Sequence, residues 1–271
     1  VMPFVLLGNE PADIREWTNK KRPRDWMEQY CSWFARYSND VVNAGAHAGF
    51  ADAPVYSRDP FPMMESTWQN WDAEKCFFAY HLYGLNRPPM YPYDSVAQHG
   101  EPLVTEADLV EWFGPHYDDR GLNDLSVDVL NISREAGPQP GLTATQDATC
   151  FLGYERVVGW MKENFSRVLP GMMTEGGWTP GAYCDPRYPR PTPRQVADWT
   201  LWMYQHDAPI VAYCPWLLAD GYMAGGDVGW PYDAWVTWAW RDIYGNEKPV
   251  VDMLRDNPPH TSPLVAYVDR A

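Results

Sequence analysis

Apolar residues along the chain gather into short blocks, and amphipathic stretches separate them. Pro3 to Gly8 is the first block; it ends at a Gly-Asn-Glu-Pro turn and predicts a buried strand. From Asp25 to Asn43 the period changes. Met27, Tyr30, Cys31, Phe34, Val41 and Val42 fall on one helical face, with Glu28, Arg36 and Asn39 elsewhere. Further strands are predicted for Ala46 to Ala51, for Cys76 to Leu82 (CFFAYHL), for Pro170 to Thr174 and for Pro209 to Trp216 (PIVAYCPW). Helices are predicted around Met63 to Glu74, over Ala148 to Phe165 and over Asp233 to Tyr244. Another opens at Thr192-Pro193, cap and first-turn residue, with Val196, Trp199 and Met203 on its buried side.

The rhythm lapses between residues 84 and 147, where prolines at 88, 89, 92, 102, 115, 138 and 140 break it. Helical pieces fit only Glu106 to Trp112 and about Leu125 to Arg134, the first introduced by Thr105 with Asp108 three residues on. A connection this long between strands is uncommon unless it serves function, so the segment is expected to shape a cleft. Elsewhere strand and helix alternate, which implies a parallel sheet covered by helices. With 271 residues, no repeat and no linker, the pattern fits one domain over 1–271, of the size of a (β/α)8 barrel at ~250 residues.

A formal charge of -15 repels phosphate backbones, so a nucleic-acid partner is not expected. The basic run Lys20-Lys21-Arg22-Pro23-Arg24 precedes a helix and reads as solvated surface. No apolar run reaches the ~18 residues of a membrane span, and no secretory leader is visible. Cys31, Cys76, Cys150, Cys184 and Cys214 are widely spaced, without a CxxC pair, and suggest neither a zinc ribbon nor a disulfide framework. Compartment, secretion included, and oligomeric state are therefore open. Aromatic content is high, at 15%; such rings pack cores, and their flat apolar faces also suit sugars.

Two carboxylates stand out. Glu10 follows the first apolar block and Glu175 follows Met172-Met173-Thr174, so two acids leave the ends of two strands. Parallel barrel strands deliver such groups to one rim. A pair of this kind is what glycoside cleavage requires, one as proton donor and one as nucleophile. Competing candidates carry blander readings. Asp52 suits a turn; Glu65, Glu101 and Glu106 lie in loops or at helix starts; Glu247 follows a helix. His47, His99, His116, His206 and His260 show no metal-ligand spacing, and no metal or organic cofactor is expected.

Four signals in order carry a family resemblance: Asn9-Glu10-Pro11, His81-Leu82-Tyr83, Thr174-Glu175-Gly176-Gly177-Trp178 and Cys214-Pro215-Trp216. In these the chain resembles the clan A retaining glycoside hydrolases, (β/α)8 enzymes of the family 5 type. The resemblance implies that Glu10 is acid/base and Glu175 nucleophile, and that Asn9 contacts a sugar 2-hydroxyl. It further implies that Tyr83 holds the nucleophile ionised and oriented, that His81 touches substrate, and that Trp216 is a sugar platform. Trp178 and Tyr183, just after the nucleophile, are candidate cleft residues. If Glu10 ends the fourth strand of such a barrel, the first three are not in this chain, and a partial barrel is expected. The early-strand arginine common near the nucleophile has no assignable counterpart. The implied activity is hydrolysis of an oligosaccharide or polysaccharide by double displacement. The alternatives are a carbohydrate-binding barrel without turnover and an unrelated α/β enzyme whose two acids are separate structural groups.

Overall fold

The structure, a computed structural model, describes residues 3–11, 13–51, 75–102, 105–113, 126–136, 141–164, 168–178, 184–215, 247 and 249–257. Five strands form one sheet: β1 (Phe4–Leu7), β2 (His47–Ala51), β3 (Cys76–Leu85), β4 (Gly171–Trp178) and β5 (Ile210–Tyr213). Every neighbouring pair is parallel, and spatial order follows chain order. A doubly wound sheet reverses its strand order partway. This one does not, and its strands alternate with helices, so the architecture is that of a partial (β/α)8 barrel.

Seven helices are described: α1 (Trp26–Asn43), α2 (Ser95–His99), α3 (Glu106–Phe113), α4 (Val127–Glu135), α5 (Tyr154–Asn164), α6 (Pro193–Gln205) and α7 (Pro249–Asp256). α1 covers β1 and β2, α6 covers β4, and α7 packs on α6. α1 buries Trp26, Met27, Tyr30, Cys31, Phe34, Ser38 and Val42, the helical stripe expected, with Val41 at its margin. Thr192 caps α6 through a reciprocal pair with Gln195, which satisfies two otherwise orphaned donors.

The two faces of β3 have separate tasks. Cys76, Phe78, Tyr80 and Leu82 point into the layer between sheet and helices, together with Phe34, Phe50, Met161 and Met173. Phe77, Ala79, His81 and Tyr83 alternate with them and occupy the other face, the barrel interior. Low on that inner face Phe77 packs edge-on against Phe4 at 5.5 Å, and His47 stacks on Phe4 at 4.9 Å. Gly49 makes room there, since a Cβ would lie 2.3 Å from the Phe77 ring. Large apolar side chains buried in the outer layer contribute roughly 1.5–3 kcal/mol each. Much of the aromatic content is spent in that layer: Phe151 alone contacts Tyr154, Trp178, Trp202, His206 and Tyr213.

Some expected boundaries move. The helix predicted from Ala148 begins at Tyr154, after a single 3-10 turn at Phe151–Gly153. The Asp147 side chain accepts from the Thr149 amide, and the chain folds back so closely that a Cβ on Gly153 would lie 2.2 Å from the Ala148 carbonyl. β3 and β4 run three and four residues beyond the predicted ends, whereas β5 stops at Tyr213. α2 and α7 are not foreseen from the pattern. The helices expected at 63–74 and 233–244, and Asp52, Tyr183 and Trp216, lie outside the described residues. No described helix is long and apolar enough to cross a membrane. None of the five cysteines forms a disulfide.

Candidate active site

Glu10 comes from the turn after β1, three residues beyond Leu7 and not on its last rung. Gly8, at φ 89°, bends the chain where a Cβ would lie 3.1 Å from the Tyr30 ring. Tyr30 then fixes the rim: its hydroxyl donates to the Leu7 carbonyl at 2.8 Å and accepts from the Ala51 amide at 2.9 Å. The Glu10 carbonyl closes the turn by accepting from the Asp13 amide at 2.8 Å.

Glu175 lies inside β4, and a bulge decides which way it faces. Met173 pairs with Tyr80, both in the helix-facing layer, but the next register pair is Glu175 with His81. Thr174 is the extra residue. In a regular register without the bulge Glu175 would pair with Leu82 and share that residue's outward side. The slip places it on the inner face beside His81, a local re-aiming typical of bulges near functional groups.

The result is a compact cluster. His81 Nδ1 lies 2.9 Å from Glu10 Oε1 and 3.7 Å from Glu175 Oε2. The Tyr83 hydroxyl donates to Glu175 Oε2 at 2.6 Å. One donor atom from each of Glu10, His81 and Glu175 lies within 4.8 Å of the others. The two acids are 22% and 19% exposed, and His81 is 7% exposed. The carboxylates thus stay reachable from solvent while the imidazole beneath them is held. The two acids therefore belong to one cluster.

Asn9, His81 and Trp178 sit differently from the resemblance. The Asn9 amide donates to Glu16 Oε1 at 3.2 Å, away from the acid pair. His81 bridges the carboxylates instead of lying open. Trp178 is 3% exposed, packs on Phe151 and Trp199, and donates to the Arg87 carbonyl at 2.8 Å, which makes it a core residue. Gly84 is why it fits: a Cβ there would lie 2.0 Å from the indole nitrogen. Trp216, the fourth signal, lies outside the described residues.

An arginine that the sequence does not disclose also reaches the cluster. Arg15 Nη2 lies 3.6 Å from Glu10 Oε2. Arg15 is held by Asp13, which accepts from its backbone amide at 2.7 Å and from its guanidinium at 2.7 and 2.9 Å. The same hydrogen bonds hold the Asp13 carboxyl below its ordinary value. The only sequence signal is the Asp-x-Arg spacing, a side-chain turn motif.

Beyond β3 and β4 a second charged group is buried. Asp185 accepts from Arg87 at 2.9 Å and from Arg187 at 2.9 and 2.7 Å. Asn86 donates to the carbonyls of Asp185 and Tyr188 and accepts from the amides of both Cys184 and Asp185. Arg134 of α4 donates to the Arg187 carbonyl, and the Tyr188 hydroxyl donates to Asp94 ahead of α2. Burial alone would raise the Asp185 carboxyl; the hydrogen bonds and charge of Arg187, with Arg87 added, outweigh it and hold the group below its ordinary value. This network ties the 84–147 insertion to the loop after β4.

Glu10, His81 and Glu175 also form the one cluster among the described residues able to hold a metal ion. A tetrahedral site with ligands at about 2.1 Å needs them ~3.4 Å apart, so the set would draw closer around an ion. Comparison of the chain with protein-family models and with characterised proteins returns no match in either case.

Proposed function

We propose that the chain is a retaining glycoside hydrolase acting on an oligosaccharide or polysaccharide. One observation carries the reading: two acids 165 positions apart (175 less 10) bring carboxylate oxygens within 4.8 Å across a shared imidazole. Retaining enzymes hold their carboxyls ~5–5.5 Å apart, inverting ones ~6.5–9.5 Å apart, to leave room for a water. The close spacing supports retention.

In the first step protonated Glu10 gives its proton to the glycosidic oxygen as the bond to the anomeric carbon breaks. Glu175 Oε1 attacks that carbon from the opposite face, forming a glycosyl ester and releasing the leaving group as an alcohol. Oε1 suits the attack because Oε2 is occupied by Tyr83 and faces His81. In the second step Glu10, now ionised, takes a proton from water; the resulting oxygen attacks the anomeric carbon and Glu175 departs as carboxylate. Tyr83 keeps the nucleophile oriented throughout. His81, between the acids, interacts with Glu10 in either state: its N–H donates to the carboxylate, or its bare nitrogen accepts from the carboxyl.

Leaving-group dependence tests the assignment. In Glu10→Ala, hydrolysis of an alkyl glycoside should fall by about 10²–10⁴-fold, the usual worth of acid catalysis. A dinitrophenyl glycoside needs little protonation, so its cleavage should persist and accelerate with azide. Equal loss on both substrates would remove Glu10 from the acid role. The three-donor cluster gives a rival reading, metal-dependent hydrolysis. Here activity is expected to survive prolonged EDTA treatment; loss restored by a divalent ion would favour the rival.

A further inference from the structure

A cleft opens near the acid pair, on the outer side of the β1 rim. Its volume is 430 Å³, within the usual ligand-site range of ~300–1,000 Å³. One wall is the turn after β1, with Asn9, and the short helical turns that follow, with Glu16 and Trp17. The other is the N-terminal half of α1, through Gln29, Tyr30 and Trp33. Glu10 does not line it. Asn9 does, so the two sites adjoin through consecutive residues.

We infer that this cleft binds an uncharged sugar unit, as a subsite for the part of a glycan extending from the acid pair; the subsite role rests on the proposed hydrolase activity, although binding itself does not. Three observations carry it. Aromatic faces are held in place: the Trp17 indole N–H donates to the Pro11 carbonyl at 2.9 Å, and Tyr30 and Trp33 lie 6.1 Å apart with planes 28° from parallel. Trp33 is 41% exposed, and Tyr37, also exposed, follows one turn along with its ring 5.2 Å away. Flat apolar faces of this kind with polar edges suit pyranose rings.

The polar groups are half used. Asn9 Nδ2 donates to Glu16 Oε1, and Gln29 Nε2 donates to Asp25 Oδ1 at 3.0 Å. Asn9 Oδ1, Glu16 Oε2 and Gln29 Oε1 make no hydrogen bond among the described residues. Sugar hydroxyls would donate to these three acceptors. A packed apolar face would instead bury them unpaired, at a cost of roughly 1–3 kcal/mol each. Charge selects among glycans: the Glu16 carboxylate in the wall and a net charge of -15 oppose uronates and sulfated sugars.

The test uses the full chain with Glu175→Gln to block turnover, titrated with neutral gluco-, manno- and xylo-hexaoses while tryptophan indole resonances are followed. Trp17 and Trp33 signals are expected to shift with at least one of these sugars. Trp33→Ala and, as a milder second variant, Gln29→Ala should each weaken binding, the first by about tenfold. In the turnover-competent chain, Trp33→Ala should raise KM for that hexaose while leaving an aryl monoglycoside unaffected. Indole signals unmoved by every hexaose, or equal affinity in Trp33→Ala, would overturn the inference. If aryl glycosides are never hydrolysed and yet the two indoles shift, the hydrolase reading fails and the sugar site stands. If aryl glycosides are hydrolysed and the indoles stay still, the sugar site alone fails.

Discussion

Two clusters of charge, one around Glu10 and Glu175 and one in the loops beyond β3 and β4, are built in opposite ways. Around Asp185 every carboxylate oxygen is matched by guanidinium or backbone N–H, and the group is 3% exposed. Around Glu10 and Glu175 two carboxyl groups are held close, partly in solvent, and Glu175 Oε1 is left without a partner among the described residues. Removing one member of a buried pair strands the other, whereas a half-open carboxylate relaxes into water. The first arrangement holds the loops together. The second leaves Glu175 Oε1 open as an acceptor.

Substitutions at each cluster separate these roles. Glu175→Gln should give the largest effect: loss of at least ~10⁴-fold in kcat, equivalent to more than ~5 kcal/mol in the barrier, with a melting temperature close to that of the parent chain. An activity loss matched by collapse of the fold would make Glu175 a structural residue. Asp185→Asn should do the reverse. It leaves Arg187 and Arg87 short of a buried partner and should lower stability by about 3–5 kcal/mol in urea unfolding, with kcat per folded molecule little changed.

Acid titration sharpens the same contrast. The folded Asp185 carboxyl lies below its unfolded value of 3.8, so its contribution is fully present above that pH and is lost as pH falls through the lower folded value. Unfolding midpoints measured from pH 5 downward should therefore fall less steeply in Asp185→Asn than in the parent.

Tyr83→Phe is expected to cost less. A hydrogen bond to a charged group is worth roughly 1.5–3 kcal/mol, and its loss should reduce kcat about 10–150-fold with a smaller change in KM. An unchanged kcat would show that Tyr83 does not orient the nucleophile. The smallest effect belongs to His206, outside both clusters, which stacks on Trp202 at 4.3 Å and is hydrogen-bonded to Tyr154. Burial lowers its pKa, so the unfolded chain takes up the proton first and stability drops as pH falls through 6.5. The drop should vanish in His206→Gln.

The fold is legible in the sequence where periodicity is local. β1, β2 and α1 lie within a residue of the blocks that announce them, because strand and helix periods are set by neighbours along the chain. Glu10 and Glu175 read as a pair from their strand-end placement, whereas His81 and Tyr83 enter only through the family resemblance. Their orientation is another matter. Whether Glu175 faces inward depends on one extra residue at Thr174, and no pattern of apolar positions announces a bulge. Trp178 reads as a cleft residue because it follows the acid, and the pocket that swallows it is made by Gly84, 94 positions earlier (178 less 84). Arg15, Asn86, Arg87 and Asp185 act through contacts distant in sequence or through side-chain turns, which hydropathy does not encode.

Trapping the glycosyl intermediate puts the pairing of Glu10 and Glu175 to its most direct trial. The full chain is incubated with a 2-fluoro glycoside bearing a dinitrophenyl leaving group, digested and mapped by mass spectrometry. One fluoroglycosyl group should be found as an ester on Glu175, with none on Glu175→Gln. An ester on any other residue, or rapid turnover of a cleavable glycoside with inverted anomeric configuration and no adduct, would contradict the mechanism.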